Sequence, residues 1–111
     1  MERQTSLTLE ELISEFRKPW PKFPRCLLIN EIGEICNEGG KEAKKAEEFL
    51  RSLLGSEDEK DKLYAFSWLS VIENLNPQTL ERLKEFKKDP ANKKIIERAK
   101  PQIERYNKLY K

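Results

Sequence analysis

Apolar residues in this chain recur at the three- and four-residue spacing of a helix face, and no segment alternates apolar with polar like an amphipathic strand. The pattern predicts six helices. The first covers Leu9 to Phe16 and opens on Thr8 and Glu11, which stand at the spacing of a capping box. A stretch from Arg17 to Arg25 follows, RKPWPKFPR, whose three prolines forbid a continuous helix. The second helix, about Cys26 to Asn37, gathers Leu28, Ile29, Ile32, Ile35 and Cys36 on one face and ends at Gly39-Gly40.

The third helix, about Lys41 to Leu54, carries an apolar stripe of Ala43, Ala46, Phe49, Leu50, Leu53 and Leu54 and stops at Gly55. Ser56 and Glu59 repeat the capping-box spacing ahead of a fourth helix, about Glu59 to Asn74. From Leu63 to Ile72 that helix has no charge, and its apolar side chains run nearly all round, so it is expected at the centre of the fold. Asn76-Pro77 and Asp89-Pro90 each read as an N-cap followed by proline at N1. They start a fifth helix, with Leu80, Leu83 and Phe86 inward, and a sixth that runs to about Leu109. Pro101 is expected to kink or divide the sixth.

Several apolar positions recur at 33 or 34 residues: Leu50 with Leu83, Leu53 with Phe86, Ala65 with Ala99, Leu69 with Ile103, and Ile72 with Tyr106. Helices three and four, and five and six, therefore read as two copies of a helical hairpin, with helices one and two as a degenerate first copy. A repeat of this length made of helix pairs suggests an α-solenoid. The segment Leu53 to Leu69, LLGSEDEKDKLYAFSWL, resembles the core of a HEAT repeat: Leu53-Leu54, Lys62, Ala65 and Leu69 stand at its spacings. In the second copy Asp89-Pro90, Ile95, Ala99 and Ile103 resemble the same pattern with one residue inserted. The resemblance covers about residues 50–106. It departs at Asp61, where the family has an apolar residue, and at Lys62, where it has Arg. Tetratricopeptide repeats share the period, but their Gly and aromatic positions are not met. The reading is an all-α fold of about six helices in antiparallel pairs, HEAT-like or a small helical array.

The length of 111 residues predicts one domain: residues 1–16 as first helix, 17–25 as connector, 26–111 as helical hairpins. Charged residues at 38% sit beside 37% apolar, enough for a core. No apolar run is long enough to span a bilayer, and the stretch Met1 to Leu12 has acidic residues and no hydrophobic core of a secretory signal. With Cys26 and Cys36 at opposite ends of one helix, roughly 15 Å apart at the helical rise, no disulfide is expected. Both thiols are read as free and buried, and the protein as cytoplasmic.

The chemistry available is narrow. The chain has no histidine, so the commonest general base and metal ligand are missing. It has no phosphate-loop, dinucleotide or nucleophile-elbow motif. Cys26 follows Arg25 near a helix start, where a thiol pKa can fall, but without a histidine partner it is not read as catalytic. Acidic neighbours such as Glu31, Glu34 and Glu38, or Glu47 and Glu48, read as solvated carboxylates of a polar helix face. No catalytic residue, metal or cofactor is assigned, and the protein is expected not to be an enzyme.

Charge offers a better lead. Residues 1–80 carry a net −4 and residues 81–111 a net +6. On the sixth helix Lys94, Arg98, Arg105 and Lys108 fall within about an 80° arc at 100° per residue, opposite its apolar residues. The stripe should face solvent, either as a contact for phosphates or an acidic protein, or as a solubilising cap of the array. In the connector Arg17, Lys18, Lys22 and Arg25 interleave with Trp20 and Phe23, a pattern that binds nucleic acid or an anionic membrane surface. The plainer reading packs both aromatics on the helices. The nine residues Lys94, Arg98, Arg105, Lys108, Arg17, Lys18, Trp20, Lys22 and Arg25 form the candidate binding surface. The function expected is a non-enzymatic scaffold or adaptor that binds a protein or peptide, with nucleic-acid binding as the alternative. Two basic segments on one face would favour nucleic acid, and their separation beside an apolar groove would favour a peptide.

Overall fold

The computed structural model describes residues 5–110. Residues 1–4, part of the stretch read above as lacking a secretory signal, lie outside them. Six α-helices follow in order: α1 Leu9–Phe16, α2 Arg25–Glu38, α3 Ala43–Leu53, α4 Glu59–Val71, α5 Pro77–Lys88 and α6 Lys93–Tyr110. A short 3-10 turn, Pro90–Asn92, precedes α6, and no strand occurs among the described residues. The all-α architecture expected from the apolar spacing is present.

Local chemistry sets most helix starts. The Thr8 hydroxyl accepts from the Glu11 N–H (3.2 Å), and the Glu11 carboxylate accepts from the Thr8 N–H (2.9 Å), so the first capping box forms as expected. The second does not. Asp58, not Ser56, caps α4 by accepting from the Lys60 and Asp61 N–H groups, while the Ser56 hydroxyl accepts from Asp58 N–H and donates to Asp61. An aspartate two residues closer to the helix competes better for the same orphan donors. Asn76 caps α5 with Pro77 at N1, and Asp89 caps the 3-10 turn.

Helix α4 packs against α2, α3 and α6, and Phe66 stacks on Phe86 of α5 with centroids 5.1 Å apart. It is the central helix, as its charge-free segment implied. Trp68, with no solvent exposure, lies stacked on Tyr106 of α6 at 4.2 Å between centroids. The indole N–H donates to the Asn30 side-chain oxygen (3.0 Å), and the Tyr106 hydroxyl donates to the same oxygen (2.5 Å). One amide on α2 thus ties α4 and α6 together and fixes how α6 lies on the body.

One side-chain expectation fails, and one of two outcomes expected of a proline is absent. Leu80 of α5 is 48% exposed, because Leu83 and Phe86 already fill the contact that α5 makes. Pro101 does not divide α6, which runs unbroken. It stands exposed on the outer face, where water can reach the Glu97 carbonyl that lacks a proline N–H partner.

Candidate functional site

The outward face of α6 exists because the inward face is apolar. Ile95, Ala99 and Tyr106 are buried, with Ile96, Ile103 and Tyr110 packed at the core's edge. The remaining arc places Lys94, Arg98, Arg105 and Lys108 in solvent. The side chains of these four make no ion pair or hydrogen bond with any described residue.

The connector is different. Glu15 of α1, itself buried, accepts from the Lys18 ammonium (2.7 Å) and from the Lys22 backbone N–H (2.5 Å), pinning both ends of the PWP turn. Lys18, then the Lys22 N–H, hold the Glu15 carboxyl below its ordinary value. The Arg17 N–H closes the end of α1, and its guanidinium lies 5.8 Å from the Phe49 ring centroid. Arg25 lies 4.0 Å over the Phe16 ring and grips Asp61 of α4 through two hydrogen bonds, 2.5 and 3.3 Å. Phe23 packs on the core, but Trp20 is 89% exposed. The packing expected of both aromatics therefore holds for only one. Prolines on either side and the Glu15 clamp hold Trp20 out from the body.

The nine candidate residues do not form one surface. Arg17 lines a hollow between α1 and α3, and Lys18 and Lys22 line another along α1; neither includes a residue of α6. The exception is a cavity of about 600 Å³ where the starts of α2 and α4 face α6. It is lined by Arg25 and Arg98 together with Ile29, Asp61, Leu63 and Tyr64.

The acidic residues depart furthest from expectation. Glu31, Glu34 and Glu47 are buried, not solvated. Glu31 accepts from the Thr5 N–H (3.3 Å) and hydroxyl (2.7 Å), and its other oxygen has no hydrogen-bond partner. Glu47 accepts from the Asn76 N–H (3.0 Å) and the Thr79 hydroxyl, anchoring the start of α5 on α3. Burial raises the Glu34 carboxyl above its ordinary value; a hydrogen bond with Tyr110 opposes the shift, and the charges of Glu31 and Glu38 add to it. These carboxylates tie elements together. Angular position carried a signal for Glu47, which projects at the edge of the α3 stripe, about 20° beyond Leu54 at 100° per residue.

Both thiols are free, but only Cys36 is buried, where desolvation pushes it up to about 12; Cys26 is exposed at the mouth of the cavity. Among the described residues no group of three or more Cys, Asp or Glu is placed to hold a metal ion, and no helix is long and apolar enough to cross a membrane. The chain matches no protein-family model, no curated protein and no solved structure.

Proposed function

We propose that the protein is a non-enzymatic interaction module, a short HEAT-like array of helix pairs, that takes an acidic protein or peptide on the outward face of α6. The observation that carries this is a contrast in how the cations are used. In the connector Lys18 and Arg25 are paired with carboxylates of their own chain, Arg17 lies near Phe49, and Lys22 is tied to Glu15 through its backbone N–H alone. Lys94, Arg98, Arg105 and Lys108 stand exposed, paired with no described residue, on a helix whose other side is fixed in the core. Unpaired cations on a rigid element steer and orient an anionic partner at little ordering cost.

A polypeptide partner is favoured over nucleic acid because the basic residues of the connector and of α6 are apart: Arg17, Lys18 and Lys22 line hollows that include no residue of α6. Free thiols suit a reducing compartment, so the protein is read as cytoplasmic.

Fluorescence anisotropy with an acidic peptide and with mixed-sequence DNA and RNA oligomers tests this. The peptide should bind the protein, and the variant with alanine at 94, 98, 105 and 108 should bind it at least about tenfold more weakly, as expected if the lost pairs total about 1.4 kcal/mol. Tight nucleic-acid binding that falls about a hundredfold between about 50 and 200 mM salt, as four neutralised phosphates require, would replace the peptide reading with the alternative. Absence of binding to every probe at low salt would leave the stripe as a solubilising cap.

A further inference from the structure

We infer that α5 is a hinged flap: it opens as one unit while the other five helices stay folded, and the Glu47 carboxylate is its latch. The inference stands apart from the reading of α6.

Burial sets α5 apart. Of its 12 residues only Thr79, Leu83 and Phe86 are buried, against seven of 13 in α4. Eight are exposed, Leu80 among them. A helix that buries two apolar side chains gains little from packing, and elements of that kind open at the low end of a protein's range of local stabilities. Phe86 is the larger of the two, and it stacks on Phe66 of α4.

Polar contacts supply the hold that packing does not. Glu47 of α3 is buried and accepts from the Asn76 N–H (3.0 Å) and the Thr79 hydroxyl, and Arg51 of α3 donates to the same hydroxyl (3.0 Å). These bonds all meet the first turn of α5, so one carboxylate-centred cluster fixes the start of the helix. At the far end the Asn92 side-chain amide donates to the Phe86 carbonyl (3.0 Å).

The chain can turn on both sides of α5. Before it, Asn74 adopts a left-handed backbone (φ 60°), which Asn tolerates better than most residues. After it, Asp89 is extended, and Pro90 bars a continuous helix into α6. The contacts that seat α6 bypass α5: Tyr106 stacks on Trp68, and both donate to Asn30. Opening α5 therefore leaves α6 in place and uncovers Phe66, which is 2% exposed when the flap is shut.

Native-state hydrogen exchange in increasing urea tests this. Once intrinsic rates are removed, the amides of residues 81–88 should exchange on the order of a hundredfold faster than those of residues 65–69, with one shared, shallow urea dependence. Residues 99–106 of α6 should follow residues 65–69. Glu47→Gln should raise the opening constant of residues 81–88 about tenfold, as loss of a charged hydrogen-bond acceptor requires, and Thr79→Val should act in the same direction. The Arg25–Asp61 pair joins α2 to α4 and stays made when α5 opens. Asp61→Ala should therefore speed residues 65–69 about fivefold and leave residues 81–88 at the parent rate. Residues 81–88 exchanging in step with residues 65–69 in the parent and in Asp61→Ala would overturn the flap. Exchange of residues 81–88 at scattered rates with no urea dependence would mean residue-by-residue fraying and would overturn it too. Unchanged exchange of residues 81–88 in both Glu47→Gln and Thr79→Val would remove Glu47 as the latch.

Discussion

Gly33 seats the indole of Trp68. A β-carbon on Gly33 would stand 2.6 Å from the indole Cγ and closer still to Cδ2 and Cε2. Elsewhere in a helix interior, replacing glycine by alanine stabilises by about 0.5–1 kcal/mol. Here the ring cannot retreat, because it is stacked on Tyr106 and bonded to Asn30. Gly33→Ala should therefore destabilise by about 3 kcal/mol, at the upper end of overpacking costs. Urea unfolding gives the sign directly, and a stabilised variant would show that Trp68 does not rest on α2.

The Arg25–Asp61 pair predicts an asymmetry. Asp61 is 2% exposed, while the Arg25 side chain is 43% exposed. Removing the arginine leaves a buried carboxylate without its main partner, which costs about 3 kcal/mol. Removing the aspartate lets a half-exposed guanidinium rehydrate, and screening holds that loss nearer about 1 kcal/mol. Arg25→Ala should be clearly less stable than Asp61→Ala in urea unfolding. The reverse order would place the pair in solvent.

Two carboxyls give stability opposite pH slopes. Burial raises Glu34 above the ordinary 4.5, so its protonated form is the one the fold favours. That contribution is complete below 4.5 and is lost as pH rises through the raised value. Hydrogen bonding to Lys18 depresses Glu15, so its contribution is present above 4.5 and is lost as pH falls through the lowered value. Denaturant unfolding across this range should show Glu34→Gln removing a decline above 4.5 and Glu15→Gln removing a loss below it. Parallel curves for both variants and the parent would contradict these environments.

Much of the fold is legible one helix at a time. The Thr8–Glu11 box, the Asn76-Pro77 start and the charge-free segment of α4 each report a local preference or a one-helix pattern, and each is found in place. Tertiary coverage is less legible. Glu31 and Glu34 look like ordinary polar-face residues until Thr5 closes on one and Tyr110 on the other. Asp61 is buried as well, where Arg25 of α2 closes on it. For the candidate site, the α6 stripe follows from angular spacing alone. The internal pairing of Arg25 and Lys18 depends on partners that sequence spacing does not bring together, or does not distinguish from solvated neighbours. Trp20 stands out because Pro19, Pro21 and the Glu15 clamp control the turn more strongly than the ring's own tendency to pack.

The most direct test of α6 as the partner-binding face is a map of backbone amide shifts on adding an acidic peptide to the labelled protein. Perturbations should cluster on α6 around Lys94, Arg98, Arg105 and Lys108, and they should fade as salt rises. Perturbations confined to residues 17–24, or none at saturating peptide, would contradict the account.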